Sequence, residues 1–315
     1  MSYEKPRLEN IKAFDSWYDR AGVRSGPRRT FAEDADILKE FFPVHLVPHL
    51  GHPQVQQSEG PIQRYLSAQH LFQWLRFTSH FEVAVVNRAT QRIAEGSSGL
   101  ELPNWACLVA FQIYVDEGYH SLYSLDVLRQ VEERSGIQAL PYDFQRFLAK
   151  LDGVGHEYPD YRLLIQLLQV VVFETLITSI LMDIPNDRSV IEVVRETVRD
   201  HAIDEGRHHA YFSNFFKYLW GQLDHGTRRL VATFLPSLIV QSLQPATRPA
   251  TAALLKAGFS EAKTREIVAE SYNRAGVTAS IRVASAKTVA LFEQLGVLDI
   301  PGSRERFVEE GLLDP

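Results

Sequence analysis

From residue 63 onward, apolar side chains recur every three or four positions, the period of helices that bury one face. The pattern predicts helices over 63–95, 103–135, 142–151, 159–182 and 187–219, then over 227–243, 248–257, 261–275 and 278–295. "GSSGLELP" ends the first of these, Pro103 suits an opening turn, and "DIPND" closes the fourth, with Asn186 and Asp187 as caps for the next. The first sixty residues are irregular, with a short helix expected near 32–42 and a Pro- and Gly-interrupted run, "PVHLVPHLGHPQ", after it. Strand-like alternation is nearly absent. The expected fold class is all-α, one domain centred on a helical bundle, with 1–62 packed on a core of 63–220 and 221–315 as accessory helices.

One stretch breaks the one-faced pattern. "LLIQLLQVVVFETLITSILM", residues 163–182, is apolar on nearly every side and has the length of a membrane span. Glu174 sits at its middle, where a charge costs roughly 2.5–3.5 kcal/mol in a bilayer. Gln166, Gln169, Thr175, Thr178 and Ser179 add polar groups. The stretch therefore reads as the buried central helix of a bundle, not as a membrane span.

Composition narrows the class. The chain has 315 residues, 45% of them hydrophobic and 23% charged, enough apolar material for a large core. A net charge of −6 without a basic stretch argues against nucleic-acid binding. Cys107 is the single cysteine, so no intrachain disulfide forms, and "MSYEKPRLENIKAFDSWYDRAG" lacks the apolar core of a signal peptide. A cytoplasmic location is expected.

The chemistry lies in a repeated pentapeptide. "DEGYH" occupies 116–120 and "DEGRH" occupies 204–208. Glu-x-x-His places a carboxylate and an imidazole one turn apart on one helix face, suited to a metal ion beside the helix. A single such spacing is common by chance; two copies sharing Asp before and Gly after the Glu are not. Ferritin-like di-iron bundles use two Glu-x-x-His helices and two helices with one Glu each. Lone acids in apolar helices precede both copies here: Glu82 in "TSHFEVAVV" and Glu174 in "VVVFETLIT". Four buried carboxylates need opposite charge, which two cations supply. His201 falls on the stripe of Glu205 and His208 and is either a seventh ligand or a base behind the ligands. The expected architecture is thus a ferritin-like four-helix bundle with flanking helices.

Other candidates carry less. His45, His49 and His52 lie among prolines without a nearby acid or cysteine, and read as a loop with incidental histidines. His209 points about 100° away from His208 on a helix and reads as structural. Phe81, Tyr114 and Phe173 are most simply core packing.

The set Glu82, Glu117, His120, Glu174, His201, Glu205 and His208 resembles the ligand set of the di-iron amine N-oxygenases of the aureothin and chloramphenicol pathways. The resemblance covers about 63–220 and rests on the His-x-x-x-Glu-x-x-His run of His201, Glu205 and His208. It implies two iron ions, dioxygen as co-substrate and oxidation of a primary amine, aryl or amino-acid-derived, to hydroxylamine, nitroso or nitro products in a biosynthetic pathway. His201 is then the residue tied to nitrogen chemistry. Asp116 and Asp204 are implied to hydrogen-bond a ligand histidine of the opposite helix pair, with Arg207 tethering one of them. A free or carrier-bound small-molecule amine, an external reductase or electron-transfer protein and a homodimeric state also follow from the resemblance. The competing readings are carbon oxidation by the same centre, as in desaturases and hydroxylases, and non-catalytic ferritin-like iron handling; manganese is the nearest rival metal. The third histidine disfavours carbon oxidation, and the long extra segments disfavour iron storage.

Overall fold

The computed structural model describes residues 8–314 apart from the side chains of 178–180, so Thr178, Ser179 and the first seven residues lie outside the described set. The amino-terminal segment carries only short helices, α1 (Trp17–Arg20), α2 (Gly22–Ser25) and α3 (Pro53–Gln56), joined by 3-10 turns. α4 (Gly60–Phe81) opens with Pro61 in its first turn and runs through a π turn, Glu82–Val86, into α5 (Asn87–Ala94). α6 (Asn104–Ser135) starts with Pro103 as its extended cap and stops where Gly136 takes φ 71°, a left-handed conformation that glycine adopts without strain. α7 (Gln145–Gly153) is short, and α8 (Arg162–Leu181) is the apolar helix. α9 (Glu192–Gln222), α10 (His225–Leu243), α11 (Thr247–Lys256), α12 (Glu261–Ser271), α13 (Arg274–Gln294) and α14 (Ser303–Glu309) complete the chain. No strand forms among the described residues, and the fold is all-α as expected.

The centre is a four-helix bundle. α4 and α5 lie along α6, α8 lies along α9, and α6 meets α9. α10 and α13 cover the other sides of α8, which explains a helix with no polar face. Two of its polar side chains are satisfied internally: the Gln169 amide donates to the Leu151 carbonyl at 3.1 Å, and the Thr175 hydroxyl to the Val171 carbonyl at 2.9 Å. Among the described residues no helix is long and apolar enough to cross a membrane.

The structure departs from the pattern at three places. α9 begins at Glu192, five residues after Asp187, because Asp187 accepts instead from Ser189 N at 3.0 Å. Ser189 and Ile191 pair with the backbone of Glu40, and Asp36 caps α9 from a distance by accepting from Glu192 N at 2.6 Å. Residues 32–42 form a short 3-10 helix, Asp34–Leu38, followed by that backbone pairing, and not an α-helix across the whole stretch. Two of the three histidines of the Pro-rich run, His49 and His52, are not incidental, while His45 is exposed. His49 is buried with Nδ1 at 2.6 Å from the Tyr272 hydroxyl, and His52 caps α3 while its Nε2 meets Glu270 at 3.0 Å. They fasten the amino-terminal segment to the end of α12.

Candidate metal centre

Four elements meet at the middle of the bundle. α6 brings Asp116, Glu117 and His120; α9 brings His201, Asp204, Glu205 and His208; α8 brings Glu174. Glu82 opens the π turn, where one extra residue per turn shifts the helix register beside the site. None of the seven candidate ligands exposes more than 1% of its surface.

Their ligand-type atoms fall into two groups, each within 4.8 Å. One holds Glu82, Glu117, His120, His201 and Glu205; the other holds Glu117, Glu174, Glu205 and His208. Glu117 and Glu205 belong to both. Glu117 Oε2 lies 2.9 Å from His120 Nδ1, while its Oε1 lies 2.9 Å from His208 Nδ1. Glu205 Oε1 lies 2.9 Å from His201 Nε2, and its Oε2 lies 3.5 Å from His208 Nδ1. His201 Nε2 is also 3.5 Å from Glu82 Oε1, which puts it among the donors and not behind them.

Several of these atoms make no hydrogen bond although fully buried: Glu82 Oε2, Glu117 Oε1, both oxygens of Glu174, Glu205 Oε2 and His208 Nδ1. Unpaired buried carboxylate oxygens are costly in a purely structural site and are what a metal-binding site presents. The donor set, oxygen with imidazole nitrogen and no thiolate, suits non-heme iron. Both tests fit a pair of iron ions.

Electrostatics agree. Burial, then Glu117 and Glu205, push the Glu82 carboxyl well up, and burial, then Glu205 and Glu117, do the same to Glu174. Burial and Glu205 also press upward on Glu117, but His208 and His120 outweigh them and take it down to about 2. Glu205 is likewise held low against burial by His208, His120 and His201. His120 and His208 are raised against burial, chiefly by Glu117 and Glu205 respectively, whereas burial and His120 lower His201. These opposed shifts arise because four carboxyls and three imidazoles are crowded together out of water, a charge problem that two divalent cations would relieve.

The two halves are related by a crossed pattern. His120 Nε2 meets Asp204 Oδ2 and His208 Nε2 meets Asp116 Oδ2, each at 3.2 Å. Each aspartate, by accepting a hydrogen bond from the Nε2–H tautomer, leaves Nδ1 free to face the centre. Arg207 donates to Asp204, as does Gly22 N at 3.2 Å; a Cβ on Gly22 would fall 2.6 Å from Asp204 Oδ2, so only glycine allows this approach. Asp116 accepts from the Trp17 indole at 2.8 Å. Trp17 and Gly22 had no spacing relation to the motif and could not be found by periodicity. Tyr123, one turn past His120 on the same face, was within reach of that reasoning. Its ring lies 5.4 Å from the His120 ring and 5.8 Å from that of His201. Phe81 and Phe173 are core residues with rings 3.7 Å apart, but Tyr114 is half-buried and stacks on Phe111 at the outer side of α6. His209 is half-buried and outside both groups.

The family model described as P-aminobenzoate N-oxygenase AurF matches residues 29–296, most of the chain. The chain belongs to the P-aminobenzoate N-oxygenase AurF family. It is a di-iron N-oxygenase enzyme on that ground, and the buried Glu/His cluster fits the iron pair such an enzyme carries. No curated protein matches the chain. In this AurF-family enzyme the amino-terminal segment reaches the centre through Trp17. Trp17→Phe is expected to weaken iron retention about tenfold in competition with a chelator, with the helical circular dichroism unchanged.

Proposed function

We propose that Glu82, Glu117, His120, Glu174, His201, Glu205 and His208 hold two iron ions, and that the enzyme uses dioxygen and electrons from an external reductase to N-oxidise a primary amine. The substrate class is an aryl or amino-acid-derived amine in a biosynthetic pathway, carried to the hydroxylamine, nitroso or nitro level in the cytoplasm. The observation that carries this reading is the sharing of Glu117 and Glu205 between a five-residue and a four-residue donor group. When bound, the iron pair supplies electrons to dioxygen.

The chain's own contribution is positional. Asp116 and Asp204 orient the two imidazoles, Glu117 and Glu205 each offer one oxygen to either half, and His201 makes the halves unequal. Burial of the whole set excludes water from the centre. Iron-loaded protein given an amine, a reductant and oxygen is expected to form N-oxidised product for each oxygen consumed; oxygen uptake with products altered only at carbon would sink the reading.

The proposed assembly is a homodimer through the outer face of α6. Leu108, Phe111, Leu122 and Leu125 are 47–61% exposed there, in heptad spacing with half-buried Val115 and with Gly118. The stripe is self-complementary when reversed: Leu108 falls opposite Leu125, Phe111 opposite Leu122, and Val115 opposite Gly118, as a two-fold antiparallel pairing requires. Phe111→Glu is expected to convert the dimer to monomer in sedimentation equilibrium; a wild-type monomer, or a dimer indifferent to the change, contradicts it.

A further inference from the structure

A short chain of groups leads from the metal centre to the surface of the amino-terminal segment. His208 turns Nδ1 to Glu117 at 2.9 Å and Nε2 to Asp116 Oδ2 at 3.2 Å. The same aspartate oxygen accepts from the Trp17 indole at 2.8 Å. The Trp17 ring then meets the Tyr18 ring edge-on, their centroids 5.1 Å apart. Trp17 is 6% exposed and Tyr18 58%, so the chain begins at a buried donor group and ends in solvent. Every link is a hydrogen bond or a ring contact, and its last two members are the aromatic types that give up an electron most readily.

The fate of the proton sets this chain apart from the other aromatic pair at the centre. Tyr123, whose ring lies 5.4 Å from that of His120, is backed by Tyr119, again with 5.4 Å between rings. An oxidised phenol is a strong acid and must shed its proton. The Tyr123 hydroxyl is buried without a hydrogen-bond partner to receive it, whereas the exposed Tyr18 can pass its proton to water. Trp17 meets the other requirement. Once it loses an electron its indole is a cation, and the Asp116 carboxylate already stands at its N–H. Tyr123 is therefore hard to oxidise where it stands, and Tyr18, reached through Trp17, is not.

We propose that Trp17 and Tyr18 form an outlet that carries oxidising equivalents out of the site when no amine is there to consume them. The proposal rests on the dioxygen-activating reading of the centre, which supplies the oxidant. The oxygen-oxidised centre gains one electron from Trp17, the Trp17 cation regains it from Tyr18, and Tyr18 releases its phenolic proton to water. The net change is one electron gained by the centre and one electron and one proton lost by Tyr18. A soluble thiol or ascorbate restores the phenol by giving it a hydrogen atom. The outlet spares the ligand histidines and Tyr123, which stand together at the centre.

The test loads each variant with ferrous ion to equal content and mixes it with oxygen in the absence of amine. Samples are frozen for electron paramagnetic resonance, then digested for mass spectrometry. Wild type is expected to show a tyrosyl radical, abolished by ascorbate, and added oxygen on the peptide carrying Trp17 and Tyr18. Tyr18→Phe, at an exposed position, leaves the hydrogen bonds of Asp116 in place and is expected to lose that radical with iron content unchanged. Trp17→Phe is expected to lower it at least about tenfold and to raise added oxygen on the 116–123 segment severalfold. Should Trp17→Phe fail to fold, Tyr18→Phe decides. A radical that survives Tyr18→Phe and vanishes in Tyr123→Phe places the exit at Tyr119 and overturns the outlet. Equal oxidation of the 116–123 segment in wild type and Trp17→Phe overturns it as well. Wild type that consumes oxygen without oxidising residues 17 and 18 removes the outlet and leaves the oxygen-activating reading standing; wild type that binds iron yet consumes no oxygen removes both.

Discussion

Glu117→Gln and Glu205→Gln are each expected to reduce bound iron from about two per chain to below one and to lower turnover by at least about 100-fold. The reason is topological. Glu117 turns Oε2 to His120 and Oε1 to His208, and Glu205 likewise turns one oxygen to each half. Loss of either carboxylate therefore removes a donor from both groups at once. Glu82 and Glu174 each serve one group only, so Glu82→Gln should keep about one iron per chain. Metal analysis of the three variants after identical loading and desalting separates these outcomes. Equal iron loss in Glu82→Gln and Glu205→Gln would show that the shared carboxylates are not shared.

His201→Ala is expected to behave differently. Its Nε2 stands among five donors of one group, and four remain without it, so iron content should fall little. Glu205 loses its 2.9 Å contact with His201 and the two halves become alike, each with one histidine. Product formation from an amine is expected to drop by about 100-fold while oxygen uptake continues. Measured side by side, the two rates give the fraction of oxygen that reaches nitrogen. A variant that keeps both irons and the wild-type yield would show that the third histidine has no part in directing the chemistry.

The parts of this molecule that follow a period were legible in the chain. The helices from 60 to 135 and from 162 to 222 lie close to their expected bounds, because a one-faced or all-round apolar pattern is itself the cause of their burial. The two pentapeptides and the lone Glu82 and Glu174 were legible because helix geometry turns spacing into direction. What escaped was set by contacts distant in sequence. The start of α9 depends on Asp36 and Glu40, more than 150 residues earlier, which no local capping rule contains. Trp17 on Asp116 and Gly22 on Asp204 come from an amino-terminal segment with no helical period at all. The π turn at Glu82 has no composition of its own, since "EVAVV" reads as ordinary helix core. His49 and His52 looked incidental because Tyr272 and Glu270 lie over 200 residues away.

The most direct measurement is an anaerobic titration of metal-free protein with ferrous ion, read by metal analysis and by Mössbauer spectroscopy. A centre built as described takes up about two irons per chain and shows two distinct iron environments, one for the group containing His201 and one for the group containing Glu174. Saturation at one iron or none, or two irons that persist undiminished in Glu205→Gln, would contradict a dinuclear site in this bundle.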